Sequence, residues 1–114
     1  MTLERRRRRS SFAGLALRYW FAAIAKRTRL FGLVLADSAG FLVASNLRGP
    51  EAEELAAIAP LLGRPSQQAE VPVSVVSVRV EEVCLYLCAI GDESPRNAAL
   101  RLAEGGVQRI LTVH

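Results

Sequence analysis

Few residues of this 114-residue chain have side chains able to act on a substrate. The single histidine, His114, is the last residue, where an imidazole lacks the fixed orientation that a Ser-His-Asp or Cys-His relay needs. Cys84 and Cys88 together with that histidine do not have the spacing of a structural zinc site. Lys26 is the only lysine, and no G-x-x-x-x-G-K-[ST] or G-x-G-x-x-G run is present to cradle a phosphate. The acids are explained more simply than by catalysis. Glu51, Glu53 and Glu54 suit the first turn of a helix, where they complement its dipole. Glu81 and Glu82 suit a solvated turn. The expectation is a protein with no catalytic residue, no cofactor and no metal, working through its surfaces.

The cysteines also bear on the compartment. They lie four apart in a segment that reads as a strand, so their Cα atoms are expected roughly 13 Å apart. A disulfide needs about 7 Å or less. They are read as small buried apolar residues in a reducing environment, which points to the cytoplasm.

Charge is distributed unevenly. Residues 1–29 hold nine basic residues against Glu4, a balance of +8, whereas residues 30–114 hold six against ten acids, a balance of −4. The run Arg5, Arg6, Arg7, Arg8, Arg9 is expected to be a disordered arm over 1–10, ahead of one domain over 11–114. Its sharper reading is attachment to an anionic surface, each residue near such a membrane adding about 1 kcal/mol. Nucleic acid is disfavoured, because no aromatic residues interleave with the arginines to stack on bases. Arg18 and Lys26-Arg27 break the apolar stretch that follows, which argues against a secretion signal, and no run of about 18 apolar residues exists to span a membrane.

These residues must be held by a small α+β scaffold. A helix is expected from about Ser11 to Lys26, with Phe12, Leu15, Ala16, Tyr19, Ala23 and Ile24 at helical spacing. Trp20 and Phe21 widen its apolar surface. Leu30–Ala36 and Phe41–Ser45 form a hairpin around Asp37-Ser-Ala-Gly40, where the aspartate can bond the backbone two residues on and glycine accepts positive φ. Pro50 opens a second helix whose core face is expected to be Leu55, Ile58, Ala59 and Leu62, with Pro60 bending its last turn and Gly63 ending it. Over Val71–Ile90 the valines alternate, then shift phase after Val75, which suggests a bulge or two short segments that meet the sheet differently. Ser94-Pro95 is expected to open a last helix with an apolar face of Ala99, Leu100, Ala103, Val107, Ile110 and Leu111. Gly105-Gly106 inside it predicts a bend or a close approach by a neighbouring element.

In this order, Gly32-Leu-Val-Leu-Ala-Asp-Ser-Ala-Gly-Phe-Leu-Val-Ala-Ser45, Glu53-Glu-Leu-Ala-Ala-Ile-Ala59 and Gly106-Val-Gln-Arg-Ile-Leu111 resemble the first hairpin, central helix and closing helix of the roadblock/dynein light chain family. That family is a branch of the profilin-like and longin-like folds. The resemblance implies a central antiparallel sheet of four to five strands flanked by helices, in the order α-β-β-α-β-β(-β)-α. Only the 22 residues from Glu70 to Gly91 are available for strands between the last two helices here, so two strands are expected after the central helix rather than three. The resemblance further implies a homodimer, built by continuing the sheet and packing the central helices, that regulates or scaffolds a Ras-like small GTPase. Carried over by position, the interface is expected to use Glu51, Glu54, Ala57, Ile58, Leu61, Val71, Val73 and Val75. Arg48 is added as a surface position beside the central helix. Pro72 could block the strand edge. The alternatives are a PAS- or GAF-like sensor, using Ser74, Ser77 and Tyr86 around a pocket, and a membrane-surface adaptor acting through Arg5–Arg9.

Overall fold

The computed structural model describes residues 2–62 and 73–113, with side chains described over 12–62 and 73–112. Its elements are α1 (Thr2–Thr28), β1 (Gly32–Asp37), β2 (Leu42–Ser45), α2 (Pro50–Leu62), β3 (Val73–Val80), β4 (Val83–Ile90) and α3 (Glu93–Val113). The four strands form one antiparallel sheet in the order β2-β1-β4-β3. The expected element order holds, with two strands between α2 and α3 among the described residues.

Strand alternation sends successive side chains to opposite sides of the sheet. Leu33 and Leu35 of β1 meet Leu85, Leu87 and Ala89 of β4 and Val78 of β3 beneath α1 and α3. Val34 and Ala36 meet Cys88 beneath α2. Because β1 is covered on both faces, it reads as an unbroken apolar run. The valine phase shift has the same cause. β3 pairs with β4 in one uninterrupted register from Val73↔Ile90 to Val80↔Val83, so the expected bulge is absent there. Val73 and Val75 face α2, while Val76, Val78 and Val80 face α1 and α3. The irregularity lies instead between Leu35 and Ala36, in the β1–β2 ladder.

Two helix faces differ from their expected ones. In α1 the buried residues are Ala13, Leu17, Phe21, Ile24 and Ala25, and Phe12, Leu15 and Tyr19 are exposed. α1 is continuous from Thr2, so no break in the helix marks the boundary expected near Ser11. In α2 the buried residues are Ala52, Ala56 and Ala59, whereas Ile58 is 39% exposed. The small side chains let α2 lie close to the sheet, with Leu55 packed at their side and Ile58 and Leu61 turned outward. The helix continues through Pro60 to Leu62, and Gly63 lies outside the described residues.

The ends of the helices follow from backbone satisfaction. Arg29 adopts φ 59°, and the Leu30 amide donates to the Ala25 carbonyl at 2.9 Å, closing α1 as a Schellman motif with buried Leu30 as its apolar contact. α3 begins at Glu93, ahead of the expected Ser94 cap. The Arg96 amide reaches the Asp92 carbonyl at 3.1 Å, and Pro95 falls within the first turn, where its missing N–H has no helical partner to lose. α3 runs unbroken through Gly105-Gly106, and the close approach is what those glycines permit. A Cβ on Gly106 would sit 2.7 Å from Cε2 of Trp20.

Candidate functional site

The hairpin tip and α2 hold each other. One Asp37 carboxylate oxygen accepts from the Ala39 and Phe41 amides, both at 2.9 Å, and the Gly40 amide donates to the Asp37 carbonyl at 3.1 Å. Gly40 has φ 85° and lies against the α2 backbone, where a Cβ would meet the Ala57 carbonyl at 3.1 Å. At the other end of β2, the buried Ser45 hydroxyl donates to the Leu33 carbonyl at 2.7 Å and accepts from the Leu47 amide at 2.9 Å. Asn46 Oδ1 accepts from the Leu33 amide at 2.8 Å. These bonds fix the path of the chain into α2. Ser45 and Asn46 have no periodic signature, so sequence reasoning assigned them no such role. The only available cue was a small polar pair closing an apolar strand.

With α2 anchored in this way, Glu51, Glu54, Ala57, Ile58 and Leu61 are all exposed. At 100° per residue they form one outward stripe about 120° wide, opposite the buried alanines. α2 packs on β1, β2 and β4, leaving β3 beside it. Among the described residues β3 is an edge strand, paired only to β4. Its half-buried Val73 and Val75 join the cluster beneath α2, so the structure brings them to the flank of the outward stripe. A helix face that exposes Ala57, Ile58 and Leu61 next to a valine-rich strand edge is the kind of surface that association covers. Val71 and Pro72 lie outside the described residues, as do the side chains of Arg5–Arg9.

Arg48 is placed elsewhere. It lies in the β2–α2 connection and, with Arg18, borders two adjoining surface grooves of about 520 and 430 Å³ between α1 and β2. Leu42, Ser45, Leu47 and Gly49 line the first, and Leu15, Tyr19, Ala22 and Asn46 line the second. Among the described residues no acidic side chain lines either. The residues suggested for a sensor pocket do not line these grooves; Ser74 and Ser77 lie on opposite faces of β3, and Ser77 is exposed. Among the described residues, no three of His, Cys, Asp or Glu gather where they could hold a metal ion.

The cysteines are both free, but only Cys88 is buried; Cys84 is exposed near the start of β4, against expectation. Cys88 sits between β1 and α2, and burial pushes its thiol up from 9.0 to about 12. In the native protein a thiol reagent is expected to modify Cys84 alone, with Cys88 reacting only in denaturant, as mass measurement checks. The unfolded chain releases the Cys88 proton near pH 9 and the folded chain near pH 12. The stabilisation is therefore whole below pH 9 and is lost as pH rises from 9 to 12, by up to about 1.4 kcal/mol per unit. Urea titrations at pH 8 and above 10 are expected to show that slope, and Cys88→Ala to remove it.

A four-stranded antiparallel sheet, carrying α1 and α3 on one face and the central helix α2 on the other, defines a roadblock/longin-like fold. The structure is similar to that of MglB from Myxococcus xanthus, with a TM-score of 0.54 over 87% of this chain and 86% of that one, at 18% sequence identity. No family model and no curated protein sequence matches the chain. No described helix is long and apolar enough to cross a membrane.

Proposed function

We propose that this chain is a non-enzymatic, cytoplasmic homodimer that binds a Ras-like small GTPase in a bacterial regulatory system, as activator or scaffold. The observation that carries this reading is the outward stripe of α2. Ile58 and Leu61 are 39% and 49% exposed there, beside the β3 edge, which is unpaired among the described residues, in a fold like that of MglB. Two copies that continue the sheet through β3 would satisfy its open backbone groups and pack the two α2 stripes together, an isologous contact. The paired helices and joined sheet would then form one broad platform for the GTPase. Glu51 and Glu54 give its rim a negative charge, suited to a basic patch on the partner.

The test mixes the purified chain with Ras-like GTPases of its source cell, each loaded with GDP or a GTP analogue. A complex with one nucleotide state, measured by titration calorimetry, or a changed hydrolysis rate is the expected result. Neither complex nor rate change with any of them overturns the GTPase role.

A further inference from the structure

The solvent side of α1 is not an ordinary hydrophilic face. Its core side is Ala13, Leu17, Phe21 and Ile24, all buried. The opposite stripe carries Phe12, Leu15 and Tyr19, with Phe12 68% and Tyr19 67% exposed. An amphipathic helix of a soluble domain normally puts charged and polar residues there. The apolar stripe continues across the groove to Leu42 on the sheet edge. Its helix is rich in basic residues. Within Thr2–Thr28 there are eight basic residues and one acid, Glu4. Arg5–Arg9 lie in the turns that precede Phe12, and Arg18 and Arg48 border the grooves with no acid beside them among the described residues.

We propose that α1 and the adjoining β2 edge form a docking face for an anionic lipid surface. The combination fits that occupant on two independent grounds. The charge balance of α1 complements anionic headgroups, each nearby basic residue strengthening attachment roughly fivefold. The exposed aromatic and leucine side chains suit the headgroup–acyl boundary, into which an interfacial helix sinks its apolar face. An acidic protein would satisfy the arginines but gives no reason for an uncovered Phe12–Leu15–Tyr19 stripe along a helix. Because α1 and α2 lie on opposite faces of the sheet, lipid contact leaves the α2 stripe free, and the inference does not depend on the GTPase reading.

The test is cosedimentation of the full chain with phosphatidylcholine vesicles and with vesicles containing about one-third phosphatidylglycerol. Binding is expected only to the latter. It should fall at least about tenfold as salt rises from about 0.1 to 1 M and the Debye length shrinks from about 10 to 3 Å. The variant Phe12→Ser/Tyr19→Ser changes two exposed side chains, and its unchanged circular dichroism and melting confirm folding. It is expected to bind the anionic vesicles at least about tenfold more weakly. Replacing Arg5–Arg9 by glutamine is expected to cost at least as much. Equal binding to both vesicle types, no binding to either, or full binding by the Phe12/Tyr19 variant overturns the proposal. Tighter binding to polyglutamate or to duplex DNA than to anionic vesicles also overturns it, and would assign the face to an acidic macromolecule.

Discussion

Replacing Gly106 by alanine is expected to destabilise the protein by about 2 kcal/mol, whereas the same change at Gly105 is expected to stabilise it by roughly 0.5–1 kcal/mol. Helix propensity favours alanine over glycine equally at both sites, so propensity alone predicts two gains. Packing separates them. Nothing lies within 4 Å of a Cβ at Gly105, while at Gly106 it meets the Trp20 indole, with Cε2 at 2.7 Å. Trp20 packs against the core beneath α1 and α3, and the Arg109 guanidinium lies 5.8 Å from its ring centroid. The indole would have to move away from α3, taking those contacts with it. Overpacking of this kind costs about 1–3 kcal/mol, enough to outweigh the propensity gain. Trp20 is the only tryptophan, so its fluorescence reports the change directly. Urea midpoints at constant slope measure the two shifts. Equal midpoints for Gly105→Ala and Gly106→Ala would show that α1 and α3 are not held together at this glycine. A second arm replaces Trp20 by phenylalanine, which vacates the space. The penalty of Gly106→Ala should then shrink, a coupling that a double-mutant cycle reads out.

That pair of glycines also marks where sequence reasoning reached its limit. Asp37 and Gly40 announced the first hairpin because their conformational demands are local, and they sit as a turn with both expected chemistries. Pro50 announced the start of α2 for the same reason. Which side of a helix is buried is not local. α1 has apolar residues on two sides, and the stripe with the larger aromatics, Phe12 and Tyr19, lost to Leu17 and Phe21 because α3 and the sheet meet the latter. In α2, alanines carry little hydrophobic weight in any periodicity count, yet three of them form the contact, since only small residues allow so close a seat on β1 and β4. The valine phase shift was visible and left two readings open, a bulge or segments that meet the sheet differently; choosing between them needed the partners on each face, because both leave similar patterns. Of the positions expected at an interface, Glu51, Glu54, Ala57, Ile58 and Leu61 share one exposed stripe, whereas Arg48 belongs to the grooves beside α1. Proximity to α2 along the chain could not reveal that the connection turns back toward another helix.

Exchanging Ile58 and Leu61 for glutamate is expected to raise the dissociation constant of the proposed dimer at least about a thousandfold while leaving the monomer folded. Both side chains are already exposed in the single chain, so charging them adds no buried charge to its core. Their exposure is costly only if nothing covers them. Fully burying a leucine or isoleucine is worth about 1.5–3 kcal/mol, and an isologous contact uses each residue twice. Replacing four such side chains by carboxylates forfeits that burial and places like charges together near the symmetry axis. A loss of about 4 kcal/mol, roughly a thousandfold, is therefore a lower bound. Sedimentation velocity over a concentration series measures the shift, and circular dichroism checks the fold. Glu51 and Glu54 make the direction of a control informative. They already crowd the same stripe with negative charge, so Ile58→Lys/Leu61→Lys should disrupt association less than the glutamate pair, with the gap narrowing at high salt. If both pairs leave the particle mass unchanged at all concentrations, the α2 stripe is not the contact between copies. The β3 edge would then have to be managed some other way, and the platform proposed for the GTPase would lose its two-fold form.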